Sequence, residues 1–141
     1  MIVDANVLLY AADSTSPHHE RAAEWLTEAL NGRSRVGLPA QSLGAFIRIA
    51  THPRASRQPL SAEQAYAHVS RWLDAEVAWV PPTTTRTISL LGELLVRHGA
   101  TGNLVPDAQL AALALEHGVA VVSADADFAR FPEVRWIDPL R

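Results

Sequence analysis

Three aspartates in this sequence stand where a parallel α/β fold would place a ligand site. Asp4 ends the first apolar run of the chain, Asp107 begins an apolar helix directly after Pro106, and Asp125 follows the apolar run 119–122. Ligands of open parallel sheets bind beyond the carboxyl ends of the strands. We therefore expect these three carboxylates to meet at one edge of the sheet.

The chemistry of such a cluster follows from charge. Each aspartate alone could equally be a helix cap or a turn residue. Several carboxylates in one place repel and raise one another's pKa unless cations neutralise them. All-oxygen ligands favour hard ions, so we expect Mg²⁺, with Mn²⁺ as a substitute. A pair of such ions can stabilise both the attacking and the leaving oxygen, which predicts hydrolysis of a phosphate ester.

The elements that position these residues can be predicted from apolar periodicity. The segment Met1–Tyr10 is interpreted as a buried first strand that ends in a polar turn. Further strands are predicted over 36–38, 77–80, 119–122 and 135–137, and helices over 17–30, 40–51, 61–75, 86–98 and 106–117. Alternating strands and helices predict a three-layer α/β/α sandwich with a mainly parallel central sheet, in a single domain over residues 1–141.

Composition excludes several classes of site. The chain contains no cysteine, so disulfides, thiolate metal sites and cysteine nucleophiles are impossible. It contains no lysine, which argues against haloacid-dehalogenase-like phosphatases, receiver domains and P-loop nucleotide sites. The net charge of −3 is unusual for a nucleic-acid-binding protein, although all twelve basic residues are arginine, whose planar fork suits phosphate.

The sequence also indicates where the protein acts. It has no apolar run of about 18 residues that could cross a bilayer, and no basic start followed by an apolar stretch. We therefore expect a soluble cytoplasmic protein with no membrane partner.

Three segments carry motifs in a characteristic order: IVDANVLLY over residues 2–10, GNLVPDAQLAALALEHG over 102–118 and SADADFARF over 123–131. In this order and at this chain length they resemble the PIN-domain family, and more narrowly the VapC ribonuclease toxins of type II toxin-antitoxin modules. The resemblance implies one PIN domain and a magnesium-dependent endoribonuclease that cleaves structured cellular RNA. It also implies a homodimer that a VapB antitoxin silences.

The same resemblance implies roles for particular residues. Asp4, Asp107 and Asp125 would be the catalytic residues and metal ligands. Asp127 would be an outer ligand or a cap of its own loop. Asn6 would support this site by holding the Asp4 carboxylate or the turn, and Ser123 could contact a water or phosphate, although ordinary turn hydrogen bonds are the simpler interpretation of both residues.

The sequence departs from the family pattern in one helix. Many PIN domains place a glutamate early in the helix after the second strand, but no acidic residue occurs between Glu28 and Glu63. Gln41 is the best candidate for that position, and its amide brings no charge. We therefore expect one ion to be held firmly and a second to arrive with substrate. The departure also keeps open an alternative, a catalytically weak PIN-like module that binds RNA or a partner protein.

Three arginines are weaker candidates for contacts with RNA. Arg48, Arg54 and Arg57 lie in or after the second predicted helix, and they could contact phosphates around the acidic pocket. A solvated loop is the simpler interpretation of the same residues.

Overall fold

Five short strands form one parallel sheet in the computed structural model, which describes residues Met1–Arg141. The strands are β1 (Ile2–Val3), β2 (Val36–Gly37), β3 (Ala78–Trp79), β4 (Val121–Val122) and β5 (Trp136–Ile137). Their order across the sheet is β3-β2-β1-β4-β5, and every neighbouring pair is parallel. The sheet is therefore parallel throughout, and β1 lies at its centre.

Six α-helices cover the two faces of this sheet. They are α1 (Ala5–Ala12), α2 (His19–Leu30), α3 (Ala40–Ala50), α4 (Ala62–Leu73), α5 (Thr85–His98) and α6 (Val105–His117). Two short 3-10 helices span Gly102–Leu104 and Ala126–Arg130. No helix combines the length and the apolar character needed to cross a membrane.

Successive strand residues point to opposite faces and so build two separate cores. Ile2 and Val121 pack with α5 and α6, whereas Val3 and Val122 pack with α1 to α4. All four side chains are fully buried. Strands covered on both faces form continuous apolar runs, which is the pattern seen in the sequence. The predicted three-layer α/β/α sandwich is confirmed.

The first segment of the chain differs from its predicted form. Only Ile2 and Val3 are strand, and the prediction of a strand continuing toward Tyr10 is wrong because Ala5–Ala12 is helix α1. Asp4 causes the change of structure. Its backbone is extended, with φ −77° and ψ 153°, and its side chain accepts a hydrogen bond from the backbone N–H of Ala5. It is thus the N-cap that starts α1 directly at the sheet edge.

Helix α6 matches its prediction closely and holds Asp107 in its first turn. Pro106 occupies the start of the helix, where its missing N–H costs nothing. Gly118 ends it in the left-handed conformation, with φ 65°. Most of the residues between Asp107 and the last turn are buried, so the helix packs against neighbours on several sides. Asp107 therefore sits at the end of a helix with little freedom to rotate.

Candidate active site

Asp4 is a half-buried carboxylate held by three hydrogen bonds. Its Oδ1 accepts from the backbone N–H of Ala5 at 2.7 Å. Its Oδ2 accepts from the Ser123 hydroxyl at 2.8 Å and from Asn6 Nδ2 at 3.3 Å. Burial raises the pKa of Asp4 above its ordinary value despite these bonds, and the charge of Asp125 raises it further. No arginine or histidine forms an ion pair with this carboxylate.

Asn6 and Ser123 connect the end of β1 to the end of β4. The Asn6 amide donates to the Ser123 hydroxyl at 3.0 Å, and its Oδ1 accepts from the backbone N–H of Ala124 at 3.1 Å. The Ser123 hydroxyl also accepts from the backbone N–H of Asp125 at 3.0 Å. Both side chains thus contact the Asp4 carboxylate and fix the loop that carries Asp125 relative to it, and their part in the chemistry stays a prediction.

Asp107 has the most strongly perturbed carboxylate of the cluster. Burial raises its pKa to about 7, and the negative charges of Asp125, Asp4 and Asp127 contribute in that order. This order shows that the four aspartates share one electrostatic environment. The expected convergence of Asp4, Asp107 and Asp125 at the carboxyl edge of the sheet is therefore present.

The tightest group of carboxylates includes Asp127. One oxygen each from Asp107, Asp125 and Asp127 lies within 4.8 Å of the others. Asp125 caps the 3-10 helix Ala126–Arg130, and its Oδ1 accepts from the backbone N–H of Asp127 at 2.9 Å. Asp127 also lies 3.5 Å from Arg130 Nε. Asp127, expected only as an outer ligand or a cap, is placed here beside Asp107 and Asp125, two of the three aspartates expected to be metal ligands.

The donor set fits a hard divalent cation. Its atoms are all carboxylate oxygens. The one basic partner is the guanidinium of Arg130, which lies beside Asp127, and the Arg130 side chain is 62% exposed. An ion would relieve the repulsion that raises the pKa of Asp107. Oxygen-only sites select Mg²⁺, Mn²⁺ or Ca²⁺ rather than softer metals. Which of the four aspartates ligate stays a prediction.

Gln41 contacts the site through the backbone of Pro106, the residue that precedes Asp107. It lies in the first turn of α3, and its Nε2 donates to the carbonyl of Pro106 at 3.0 Å. Pro106 directly precedes Asp107, so this bond fixes the start of α6 relative to α3. Gln41 thus fixes the residue that precedes Asp107. The Oε1 atom of Gln41 takes no part in this hydrogen bond.

The three arginines predicted as weak RNA contacts lie elsewhere. Arg48 is in the last turn of α3, about 10 Å along the helix axis from Gln41. Arg54 lies in the loop after α3 and lines a shallow depression with Arg48, whereas Arg57 lines a separate cleft near Asp13. None of them forms an ion pair with the aspartates. Their contact with RNA stays a prediction.

Sequence reasoning missed Trp136 as a part of this site. Its indole Nε1 donates to the carbonyl of Ser123 at 2.8 Å, from β5 to the end of β4. Ser123 is therefore held at both ends: its hydroxyl donates to Asp4, and its carbonyl accepts from the Trp136 indole. A tryptophan on a predicted edge strand gave no signal beyond packing.

Comparison with protein families and characterised relatives finds similarity along the whole chain. Residues 1–134 match the PIN domain family. The chain is 47% identical to Ribonuclease VapC37 of Mycobacterium tuberculosis over 138 residues, covering 98% of this chain and 96% of that protein. It is 38% identical to Ribonuclease VapC33 of the same species over 141 residues, covering 100% and 99%.

Solved structures share the fold at low sequence identity. VapC20 of Mycobacterium tuberculosis, described as a sarcin-ricin-loop-cleaving toxin, matches with a TM-score of 0.68 and 22% identity over 95% of this chain and 98% of its own. VapBC-1 from nontypeable Haemophilus influenzae matches with a TM-score of 0.70 and 17% identity, covering 99% and 98%. Both comparisons place the same sheet and helices in the same arrangement.

Proposed function

The chain belongs to the PIN-domain family and, within it, to the VapC ribonucleases, and on this premise we propose that it is a magnesium-dependent endoribonuclease. It would act as the toxin of a type II toxin-antitoxin module and cleave structured RNA in the cytoplasm. The observation that carries the proposal is the group of Asp107, Asp125 and Asp127, whose oxygens lie within 4.8 Å of one another beside Asp4. Carboxylates this close repel one another, and a bound cation would neutralise that repulsion.

In the proposed site Asp4, Asp107 and Asp125 hold the ion, with Asp127 as a further ligand. A bound Mg²⁺ or Mn²⁺ would lower the pKa of a water and stabilise negative charge on the phosphodiester. The protein's own residues orient this chemistry. Asn6 and Ser123 fix the Asp4 carboxylate, while Gln41 braces the start of α6 and keeps an acceptor available for a water or a ribose hydroxyl.

The partners are proposed on the same premise. VapBC-1 and the toxin-antitoxin complex from Klebsiella pneumoniae share this fold, which supports a VapB-type antitoxin as the regulator of the chain. We further expect a homodimer in solution. Light scattering of the purified protein, alone and with the antitoxin co-expressed, would measure both associations.

The test is RNA cleavage under controlled metal supply. Purified protein is incubated with total RNA in Mg²⁺, in EDTA, and in EDTA followed by excess Mg²⁺. We expect cleavage only when free Mg²⁺ is present. Asp107→Asn should lose more than about 100-fold of the activity, because even partners of metal ligands cost about 10- to 100-fold when removed. The matched control is Asp74→Asn, an exposed aspartate at the end of α4 that is not among the clustered carboxylates.

Two results would overturn the proposal. Cleavage that persists in EDTA, or in Asp107→Asn at the level of Asp74→Asn, would rule out an aspartate-held ion. RNA binding without any cleavage would instead favour the alternative of a binding module, which the missing acidic residue on α3 keeps open.

A further inference from the structure

An uncharged cleft is bordered by Gln41, the residue bonded to the carbonyl that precedes Asp107. It has a volume of about 290 Å³ and is enclosed by the loop after β3, the start of α3, and helices α5 and α6. Proline and aliphatic side chains form its walls, and its polar side chains are Gln41, Gln109, Thr83 and Thr87. No acidic or basic residue contributes to the lining. This neutrality contrasts with the four clustered aspartates.

The cleft is linked to the acidic cluster through Gln41. Gln41 lines the cleft and donates to the carbonyl of Pro106, the residue before Asp107. Gln109, two residues after Asp107 on α6, lines the cleft as well. Residues two apart on a helix project to different sides, so the cleft approaches the Asp107 end of α6 through Gln41 rather than through Gln109.

The residues that line the cleft indicate which chemical class of ligand it could bind. A phosphate would find no cation among the lining residues, and the carboxylate that contacts the lining, Glu116, already accepts from the hydroxyls of Thr84 and Thr87. A nucleobase suits it, because its faces are apolar and its edge carries donors and acceptors that amide side chains can pair. Apolar surface also stands open to receive it, since Val80 is 46% exposed and Ile88 is 56% exposed.

We propose that this cleft binds one unstacked nucleobase of the RNA whose phosphodiester lies at the aspartates. Ile88 and the proline walls cover the faces of the base, and the amides of Gln41 and Gln109 pair with its edge. Sequence-selective recognition of RNA uses single-stranded bases in this manner. The inference rests on the proposed ribonuclease function and assigns it a specificity pocket.

The experiment asks whether the contribution of one RNA base to binding depends on Ile88, a residue that lines the cleft. Fluorescence anisotropy in Mg²⁺ follows binding of RNA pentanucleotides that are abasic at one position, to protein carrying Asp107→Asn so that the RNA stays intact. In that background we compare Ile88→Ala with Val96→Ala. Val96 is the matched control, because it is an apolar residue on the same helix, 86% exposed and outside the cleft.

We expect removal of the base at one position to weaken binding about tenfold in the background protein and in Val96→Ala, and much less in Ile88→Ala. Gln109→Ala should reduce the preference among the four bases at that same position. Equal abasic effects in Ile88→Ala and Val96→Ala would overturn the proposal, as would the absence of any base-dependent binding. Melting temperatures confirm that each variant is folded.

Two further readouts separate this proposal from its alternatives. If Ile88→Ala changes the oligomeric mass in light scattering and leaves the abasic effect intact, the cleft belongs to an interface between copies and the proposal fails. If this dependence on Ile88 is found while the wild-type protein cleaves no RNA in Mg²⁺, the base pocket stands and the ribonuclease proposal fails.

Discussion

The hydroxyl of Ser123 donates to Oδ2 of Asp4 at 2.8 Å, although 119 residues separate them in the chain. The bond joins the ends of β1 and β4, the two central strands that carry the acidic loops. It lowers the pKa of Asp4 against the effect of burial. This buried hydroxyl thus helps to position the Asp4 carboxylate and favours its charged form.

Two serine substitutions compare the loss of a hydrogen-bonded buried hydroxyl with the loss of a buried hydroxyl that has no partner. Ser123→Ala leaves buried polar groups of Asn6 and Asp4 short of a partner, so we expect a loss of about 1–3 kcal/mol in the free energy of unfolding. Ser42→Ala is the matched control, since Ser42 is equally buried and its hydroxyl has no partner. It should be neutral or stabilising. Urea denaturation measures both, and equal losses would contradict the assignment.

A second matched pair tests the role of Trp136. Trp136→Phe removes the hydrogen bond to the Ser123 carbonyl and should cost about 1 kcal/mol of stability. Because that carbonyl belongs to the loop of Asp125, we also expect a several-fold fall in kcat for RNA cleavage with little change in KM. Trp79→Phe is the matched control, because the buried Nε1 of Trp79 has no hydrogen-bond partner and the substitution therefore removes no hydrogen bond. A kcat lowered equally in both variants would show only a general packing effect.

The pKa of Asp107 predicts a pH dependence for the ion-free protein. The folded state keeps a proton on Asp107 up to about pH 7, whereas the unfolded chain releases it near 3.8. The folded state therefore binds more protons in this interval, and this carboxyl lowers stability progressively as pH rises through it. Above about pH 7 the effect is constant.

Melting in EDTA across this pH range measures the effect. The melting temperature of Asp107→Asn minus that of the wild type should grow from about pH 4 to about pH 7 and then level off. Ser42→Ala, which removes no titratable group, should give a constant difference. A constant difference for Asp107→Asn as well would contradict the raised pKa.

The position of Asp127 predicts its part in metal binding. Calorimetry with Mn²⁺ should show about tenfold weaker binding in Asp127→Asn, by analogy with the usual cost of losing a partner in a metal site. Arg130→Gln should bind the ion up to about fivefold more tightly, because an exposed ion pair worth about 0–1 kcal/mol no longer competes for the carboxylate. Wild-type affinity in Asp127→Asn would reduce Asp127 to a cap of its loop.

The larger features of the fold could be predicted because they follow from periodic patterns. The apolar run before Asp125 and the apolar circumference of α6 are properties of sequence alone, and the carboxyl-edge rule then brings Asp4 and Asp107 together. The start of α1 could not be obtained this way. Residues 1–10 are apolar enough for either a strand or a helix, and the side chain of Asp4 decides between them as a cap.

The finer arrangement of the site depends on contacts that no local pattern encodes. Asp127 joins the tight group because the 3-10 helix after Asp125 turns its side chain inward, and short-range composition does not distinguish this turn from an ordinary capped loop. The bond from Trp136 to Ser123 depends on the docking of β5, a tertiary event. The uncharged cleft likewise arises from four separate segments and becomes visible only when they are packed together.

The bond between Trp136 and Ser123 has a consequence for the order of events during synthesis. Strand β5 follows every other element in the chain, and it pairs with β4 through Val121 and Ser123. A nascent chain that has already produced all four aspartates still lacks the strand that clamps their loop. The loop of Asp125 therefore gains its contact with the indole only after β5 has been synthesised and has docked beside β4.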